Sequence, residues 1–197
     1  GQFSNGMVQV LMTPVILNLG TTRDLGHVLT VSGIGALVGS AVPALLPSPS
    51  QKAPVLLMLS CLQGIILSGV GFASSSIKVL AVAFFYMALV PASRAYREAI
   101  WMIKTPVDMH GRVFALQRGI FQVSRPLAAV LAGPLCDSVF EPGMADKNGW
   151  IARSFPLAEL LIGTGKGRGA AFAMAFLGMG CAYVACVAGL YGPLRRI

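Results

Sequence analysis

The chain has 197 residues, of which 55% are hydrophobic and only 11% are charged, and its formal net charge is +8. Soluble domains carry roughly 25% charged residues. A charged fraction this low, with a mean hydropathy of +0.74, excludes an ordinary soluble surface and predicts a polytopic membrane protein in contact with the lipid bilayer. The basic residues are spread between apolar runs without interleaved aromatic residues, which argues against nucleic acid as a partner.

Six apolar segments follow one another along the chain and predict an all-α membrane helix bundle, treated as one domain over residues 1–197. The first segment is shorter than the roughly 20 residues that a spanning helix needs. We therefore expect it to be the truncated second half of a longer helix and the chain to be a fragment, since the sequence also lacks an initiator methionine. The predicted segments are residues 7–19, 25–46, 54–73, 79–103, 111–137 and 169–190.

The second segment carries a small-residue pattern. Gly35 and Gly39 are four residues apart, so they share one helix face and allow a neighbouring helix to approach closely. Polar residues also recur at helical spacing in the first segment, where Gln9 and Thr13 lie four apart on one face.

The fifth segment is apolar but carries Arg118, Gln122 and Arg125, whose spacing of four and three residues places them on one helix face. Arg125 lies roughly 20 Å along the helix from Arg112, which is too deep for easy snorkelling, whereas Arg118 is shallow enough to snorkel. Lipid cannot solvate such groups, so they must face protein or water. The sequence leaves two roles open for Arg125: it lines a cavity, or it makes a structural bond to a neighbouring helix.

Residues 138–168 are hydrophilic and predict a loop between the last two segments. An even number of segments puts both ends on one side. With both ends in the cytoplasm of a cell-membrane protein, the inner basic residues lie close to helix ends, where the positive-inside rule has most force. The loop over residues 138–168 is then extracytoplasmic.

Three motifs resemble the major facilitator superfamily. The run PVDMHGR at residues 106–112, followed by VFA, is similar to the loop between the tenth and eleventh helices of that superfamily. The runs LAGPLCD at residues 131–137 and GKGRG at residues 165–169 strengthen the resemblance. Together they are similar to the carboxyl half of bacterial macrolide and enterobactin efflux permeases. The loop at residues 47–52 lacks the Gly/Asp/Arg signature that often stands between helices eight and nine.

The resemblance implies one six-helix lobe of a two-lobed transporter, comprising helices seven to twelve, with the amino-terminal lobe as its missing partner. It implies export of a small organic solute by alternating access, coupled to protons. Helices seven, eight, ten and eleven would face the cavity, and helices nine and twelve would be peripheral. A buried Arg125 would favour an anionic substrate or a carboxylate in the missing lobe. The expected cavity residues are Arg125, Gln122, Arg118, Gln9 and Thr13.

The expected loop motif consists of Pro106, Asp108, Gly111 and Arg112. Its structural interpretation is a solvated turn in which Asp108 caps the next helix and Gly111 eases the chain reversal. Helix packing is expected at four positions in all, namely Gly35, Gly39, Gly133 and Pro134.

The sequence offers no catalytic triad and no metal cluster among two histidines and seven acidic residues. We therefore expect neither an enzyme nor a bound cofactor. The four cysteines lie in or at the end of apolar runs without a CxxC pair, which favours buried, inert thiols. His110 is expected to be a solvated loop residue. Two other classes remain open: a non-transporting membrane scaffold or partner subunit, and a multi-pass membrane enzyme.

Overall fold

A computed structural model of the chain describes residues 2–45, 52–73, 75–145, 151 and 168–190. Within these ranges the secondary structure is helical and contains no strand. A 3-10 turn (Val107–Met109) precedes α5, and a π-helical turn (Cys136–Phe140) follows it. The helices are α1 (Gln2–Leu19), α2 (Thr22–Leu45), α3 (Lys52–Gly71), α4 (Ser76–Lys104), α5 (His110–Leu135), α6 (Glu141–Ala145) and α7 (Arg168–Leu190).

Within the described ranges, five helical stretches are long and apolar enough to cross a membrane by length and composition. They lie in α2, α3, α4, the continuous stretch Val107–Met144 and α7. This finding is consistent with a multi-pass membrane protein. The first helix is longer than expected, because it begins at Gln2 rather than at residue 7, but it is not among the five.

Helices α2 and α4 pack closely because glycines on α2 bring the two backbones together. A Cβ atom at Gly35 would lie 2.5 Å from the carbonyl oxygen of Phe84, and one at Gly39 would overlap the backbone of Ala88. The contacts advance in the same direction along both helices, so α2 and α4 are parallel.

Helices α3 and α7 form a second close pair with the opposite direction. A Cβ atom at Gly64 would lie 2.5 Å from the carbonyl oxygen of Gly178. One turn further along α3, the hydroxyl of Ser68 donates to the carbonyl of Gly64 at 2.9 Å and to that of Ala175 at 3.3 Å. The residue numbers rise on α3 as they fall on α7, so this pair is antiparallel.

The first helix packs against α5 and α7 and, more sparsely, against α2 and α4. Its core side chains include Leu11, Val15 and Ile16, each no more than 2% exposed. Ile16 clusters with Val79 near the start of α4, whereas Asn5 contacts Tyr86 further along that helix. Helices α1 and α4 are therefore antiparallel.

Among the residues that the structure describes, the fifth helix packs against the bundle on one side. Ala128 and Ala132 are fully buried in the core that α1 shares, and α5 packs chiefly on α1. The expected loop over residues 138–168 would end the helix at residue 137, but the helical path continues beyond that residue. It continues through the π-helical turn to Ala145, because buried Met144 and the contact of Gly169 with the backbone of Phe140 hold this end against α7. Pro142 cannot donate an N–H to the carbonyl of Ser138, which accounts for the change of register there.

Candidate functional site

A cavity of about 560 Å³ lies between α1, α3, α4 and α7. We call it the inner cavity. It occupies the half of the bundle that contains the carboxyl ends of α4 and α7 and the amino ends of α1 and α3. Its walls are mainly apolar side chains of α3 and α7, and its lining also includes Ser4, Asn5, Ser60, Gln63, Tyr86, Ser93, Arg97 and Gly180.

At one end of the inner cavity, polar contacts join α1 to α4 and α7. The hydroxyl of Tyr86 donates to Oδ1 of Asn5 in a short hydrogen bond. Ser4 Oγ lies 3.2 Å from Cys181 Sγ on α7. These contacts fix the start of α1 between α4 and α7, and they explain why polar residues before residue 7 belong to a helix rather than to a loop.

A stripe of polar side chains runs along α4 from Tyr86, at the end of the inner cavity near α1, to Arg97 at the opposite end. Gln63 on α3 donates from Nε2 to Ser93 Oγ at 3.1 Å, and Ser93 Oγ donates to the carbonyl of Val90 at 3.0 Å. Arg97 follows one turn later. Tyr86, Ser93 and Arg97 are seven and four residues apart, so they lie on one helix face, and about 16 Å of helix separates Tyr86 from Arg97.

Arg97 is half-buried and its guanidinium lies 5.9 Å from the centre of the Phe121 ring on α5. Among the residues that the structure describes, Arg97 forms no hydrogen bond or ion pair, and the ring of Phe121 packs against it. Glu98, the next residue, attracts Arg97 electrostatically, but its carboxylate is bonded at 3.0 Å to Arg94 on the exposed side of the helix. Arg97 thus places a positive charge without a hydrogen-bonded carboxylate at the end of the cavity.

A smaller cleft of about 120 Å³ lies between α1, α2 and α4. Gln9 and Thr13 both line it, and both are exposed. Ser32 on α2 and Tyr86 on α4 line it from the other side. Tyr86 and Leu67 line both the cleft and the inner cavity, so they lie between the two.

Two of the expected polar residues of α5, Arg118 and Gln122, do not line either cavity. Both side chains are exposed. The side chain of Arg125 lies outside the described part of the structure, and only its place within α5 is given. Pro126 follows it and has no N–H, so the carbonyl of Gln122 lacks its helical donor. The structure thus places Gln9 and Thr13 together in one cleft, and Arg118 and Gln122 on the neighbouring helix.

The loop motif differs in detail from the expected cap. Pro106, Asp108, Gly111 and Arg112 are all exposed. The residue that precedes α5 is Met109, and no side chain caps that end, so the expected cap by Asp108 is wrong. A Cβ atom at Gly111 would meet nothing within 4 Å, so the turn does not require glycine there.

His110 also differs from the expected solvated residue. Its Nε2 atom lies 2.8 Å from the carbonyl oxygen of Thr105, and its ring packs edge-on against Phe114. The ring therefore ties the start of α5 to the end of α4, which supplies the local order that the expected Asp108 cap would have given.

Gly133 and Pro134, the other two positions expected to pack against a helix, are less buried than the small side chains near them. A Cβ atom at Gly133 would meet nothing within 4 Å, and Pro134 is exposed. The contact with the core is instead made by the adjacent small side chains Ala132 and Cys136.

The sequence predicts four buried thiols, but the structure buries only one of them. Cys136 is buried, Cys61 and Cys181 are partly exposed, and Cys186 is exposed. Cys61 and Cys186 lie on α3 and α7 with their sulfur atoms 3.5 Å apart. No group of three or more His, Cys, Asp or Glu side chains suited to a metal ion occurs in the described ranges.

Comparison of the chain with protein-family models, with curated proteins and with solved structures found no match. The assignment of function therefore depends on the residues and on the geometry described above.

Sequence reasoning missed the inner cavity and Arg97, although a signal was present. Arg97 stands near the end of a long apolar run, where basic residues at a helix end are common. The spacing of Tyr86, Ser93 and Arg97 already predicts one polar face on an otherwise apolar helix. Ser60 and Gln63, three residues apart in the preceding apolar segment, give a matching stripe on α3.

Proposed function

We propose that the chain is the carboxyl-terminal six-helix lobe of a secondary active transporter of the major facilitator superfamily. It exports a small organic solute by alternating access, coupled to protons, and works with an amino-terminal lobe in the cell membrane. The observation that carries the proposal is the exposure of Gln9, Thr13, Arg118 and Gln122 on the adjacent apolar helices α1 and α5. Exposed polar groups on membrane helices face water or protein rather than lipid.

The directions of the helices support successive crossings. Helices α2 and α4 are parallel, whereas α3 and α7 are antiparallel, as are α1 and α4. These relations are those expected if α1, α2, α3, α4, α5 and α7 cross the membrane in turn. With both ends in the cytoplasm, the inner cavity lies in the cytoplasmic half of the bundle.

The motifs support the choice of superfamily. The runs at residues 106–112 and 131–137 stand at the two ends of α5, where the resemblance requires the loop before the eleventh helix and the end of that helix. The run at residues 165–169 ends in the first residues of α7, and residues 165–167 lie outside the described ranges.

Water accessibility tests the proposed transport surface without knowledge of the substrate. In a variant whose native cysteines are replaced by serine, Gln122→Cys in membranes should react with a water-soluble maleimide. Met58→Cys is the matched control, since Met58 is 71% exposed on α3, a helix that the proposal places against lipid. Reaction at both positions alike, or at neither, would contradict a water-lined surface on α5.

The role of Arg125 requires the transporter with both lobes. Arg125→Ala should abolish proton-driven export while membrane insertion stays intact, and Arg125→Lys should restore export poorly, because an ammonium group cannot reproduce the planar fork of a guanidinium. Export at the wild-type rate would remove Arg125 from the transport surface. Failure of the alanine variant to accumulate in the membrane would make the residue structural.

A further inference from the structure

The inner cavity has the composition of a site for an amphiphile. Apolar side chains of α3 and α7 form most of its wall, and at about 560 Å³ it falls within the range of roughly 300–1,000 Å³ that is typical of small-molecule sites. Polar groups are concentrated along its α4 side. An entirely polar ligand would leave most of the wall without matching contacts, so the shape favours a ligand with a substantial apolar part.

The positive charge of Arg97 at one end of the inner cavity indicates which polar group the ligand carries. Arg97 has no carboxylate or carbonyl partner among the described residues, and its neighbour Glu98 is held by Arg94. A guanidinium with five donors and no acceptor is suited to a carboxylate or phosphate group. Gln63 presents its amide beside the same stripe through its bond to Ser93, and Ser60 lies one turn away on α3.

The position of Arg97 along α4 agrees with this assignment. It precedes the end of the helix at Lys104 by seven residues, or about 10 Å. The span Ile77–Lys104 is longer than the roughly 20 residues that cross the hydrocarbon core. Arg97 therefore lies towards the depth at which lipid head groups are found, while the cavity extends from it towards the middle of the bundle.

We propose that the inner cavity binds one amphiphile with an anionic head group, which pairs with Arg97 while the aliphatic chain lies along α3 and α7 towards Tyr86. A fatty acid and an anionic phospholipid share this chemistry. The site is distinct from the transport surface on α1 and α5, and it does not depend on the transport function proposed above.

The test is native mass spectrometry of the full chain, purified in a neutral detergent and titrated with dodecanoate. One dodecanoate should bind per chain. Arg97→Gln should weaken binding roughly ten- to hundredfold, as expected for loss of a charged hydrogen bond, and Arg97→Lys should weaken it less. Dodecanol, which has the same chain without the charge, should not compete.

Two further variants separate a specific site from general charge or apolar binding. Lys104→Gln removes an exposed positive charge from the same helix and should leave the affinity unchanged. Gly180→Leu should block binding, because Gly180 lines the cavity and a Cβ atom there meets nothing within 4 Å, so the larger side chain can enter the space. The Gly180 variant also keeps the test informative if Arg97→Gln does not fold.

The source of the ligand is distinguished in lipid nanodiscs. One retained phosphatidylglycerol molecule in the wild type, with loss of this molecule in Arg97→Gln and no retained phosphatidylcholine, would assign the site to an anionic phospholipid. Binding of dodecanoate alone would assign it to a free fatty acid. Wild-type affinity in Arg97→Gln, equal binding of dodecanol, or an equal loss in Lys104→Gln would each overturn the proposal.

Discussion

The interface between α2 and α4 is closely packed, whereas much of the surface of α5 is exposed. On α2, Gly35 and Gly39 bring two backbones so close that no side chain fits between them. On α5, the described contacts with the bundle lie on one side, and apolar residues such as Leu116, Val123 and Val130 are each at least 65% exposed. Close backbone contact gives the first region its stability, whereas the second keeps an exposed surface on which polar residues can lie.

The largest effect is expected from Gly39→Leu. Its side chain would overlap the backbone of Ala88, and a backbone cannot move aside as a flexible side chain can, so the helices must separate. Overpacking typically costs about 1–3 kcal/mol and occasionally more, and we expect a severe loss of folded yield in detergent. Gly33→Leu on the same helix meets nothing within 4 Å and should fold normally. Equal yields would show that α2 does not contact α4 in this way.

A smaller effect is expected where α5 meets the core. Ala132→Leu adds volume at a position that is fully buried, at a cost of about 1–3 kcal/mol, so thermal unfolding in detergent should occur at a lower temperature. Ala115→Leu, at an exposed position of α5, should leave the midpoint nearly unchanged. A lower midpoint in the second variant but not in the first would reverse the assignment of the covered side.

The hydrogen bond between α4 and α1 should contribute less again. Tyr86→Phe removes the donor to Asn5, and a buried hydrogen bond contributes about 0.5–1.5 kcal/mol. The unfolding midpoint should fall slightly, and Tyr183→Phe, at a residue that is 71% exposed, should not change it. An unchanged midpoint in Tyr86→Phe would mean that Asn5 is not its partner.

Cross-linking α3 to α7 tests the second close pair of helices without a change of sequence. The sulfur atoms of Cys61 and Cys186 are 3.5 Å apart, so copper–phenanthroline with oxygen should join them by removing both thiol hydrogens. Mass spectrometry of a proteolytic digest should then show the two helices linked. Cys186→Ser should abolish the link, and failure of the wild type to form it would contradict the packing of α3 on α7.

Much of the fold could be predicted from the sequence, because long apolar runs between polar turns define helices whatever their neighbours. The expected second and fourth segments agree with α2 and α4 to within three residues at each end. The far end of α5 could not be predicted in the same way. There the sequence turns hydrophilic, and the helix continues because Phe140 and Met144 contact α7, which is distant in the chain.

The candidate site was less predictable, because a cavity depends on which helix faces meet. Gln9 and Thr13 were expected on one face, and both line a cleft. Arg97 carries the same local signal as other basic residues near helix ends. Only the packing of α3, α4 and α7 shows that it borders a cavity.

The long sequence separation of the α3 and α7 contact has a consequence for biogenesis. Gly64 and Ser68 meet partners beyond residue 170, whereas Gly35 and Gly39 meet α4 much earlier in the chain. During synthesis, α2 can therefore pack against α4 before α7 has been made, and the surface of α3 around Gly64 and Ser68 then has no helix to contact. In that interval lipid, a chaperone or an insertase must cover this surface. A ribosome stalled before α7 emerges should thus carry a partly assembled bundle in which this surface of α3 is exposed.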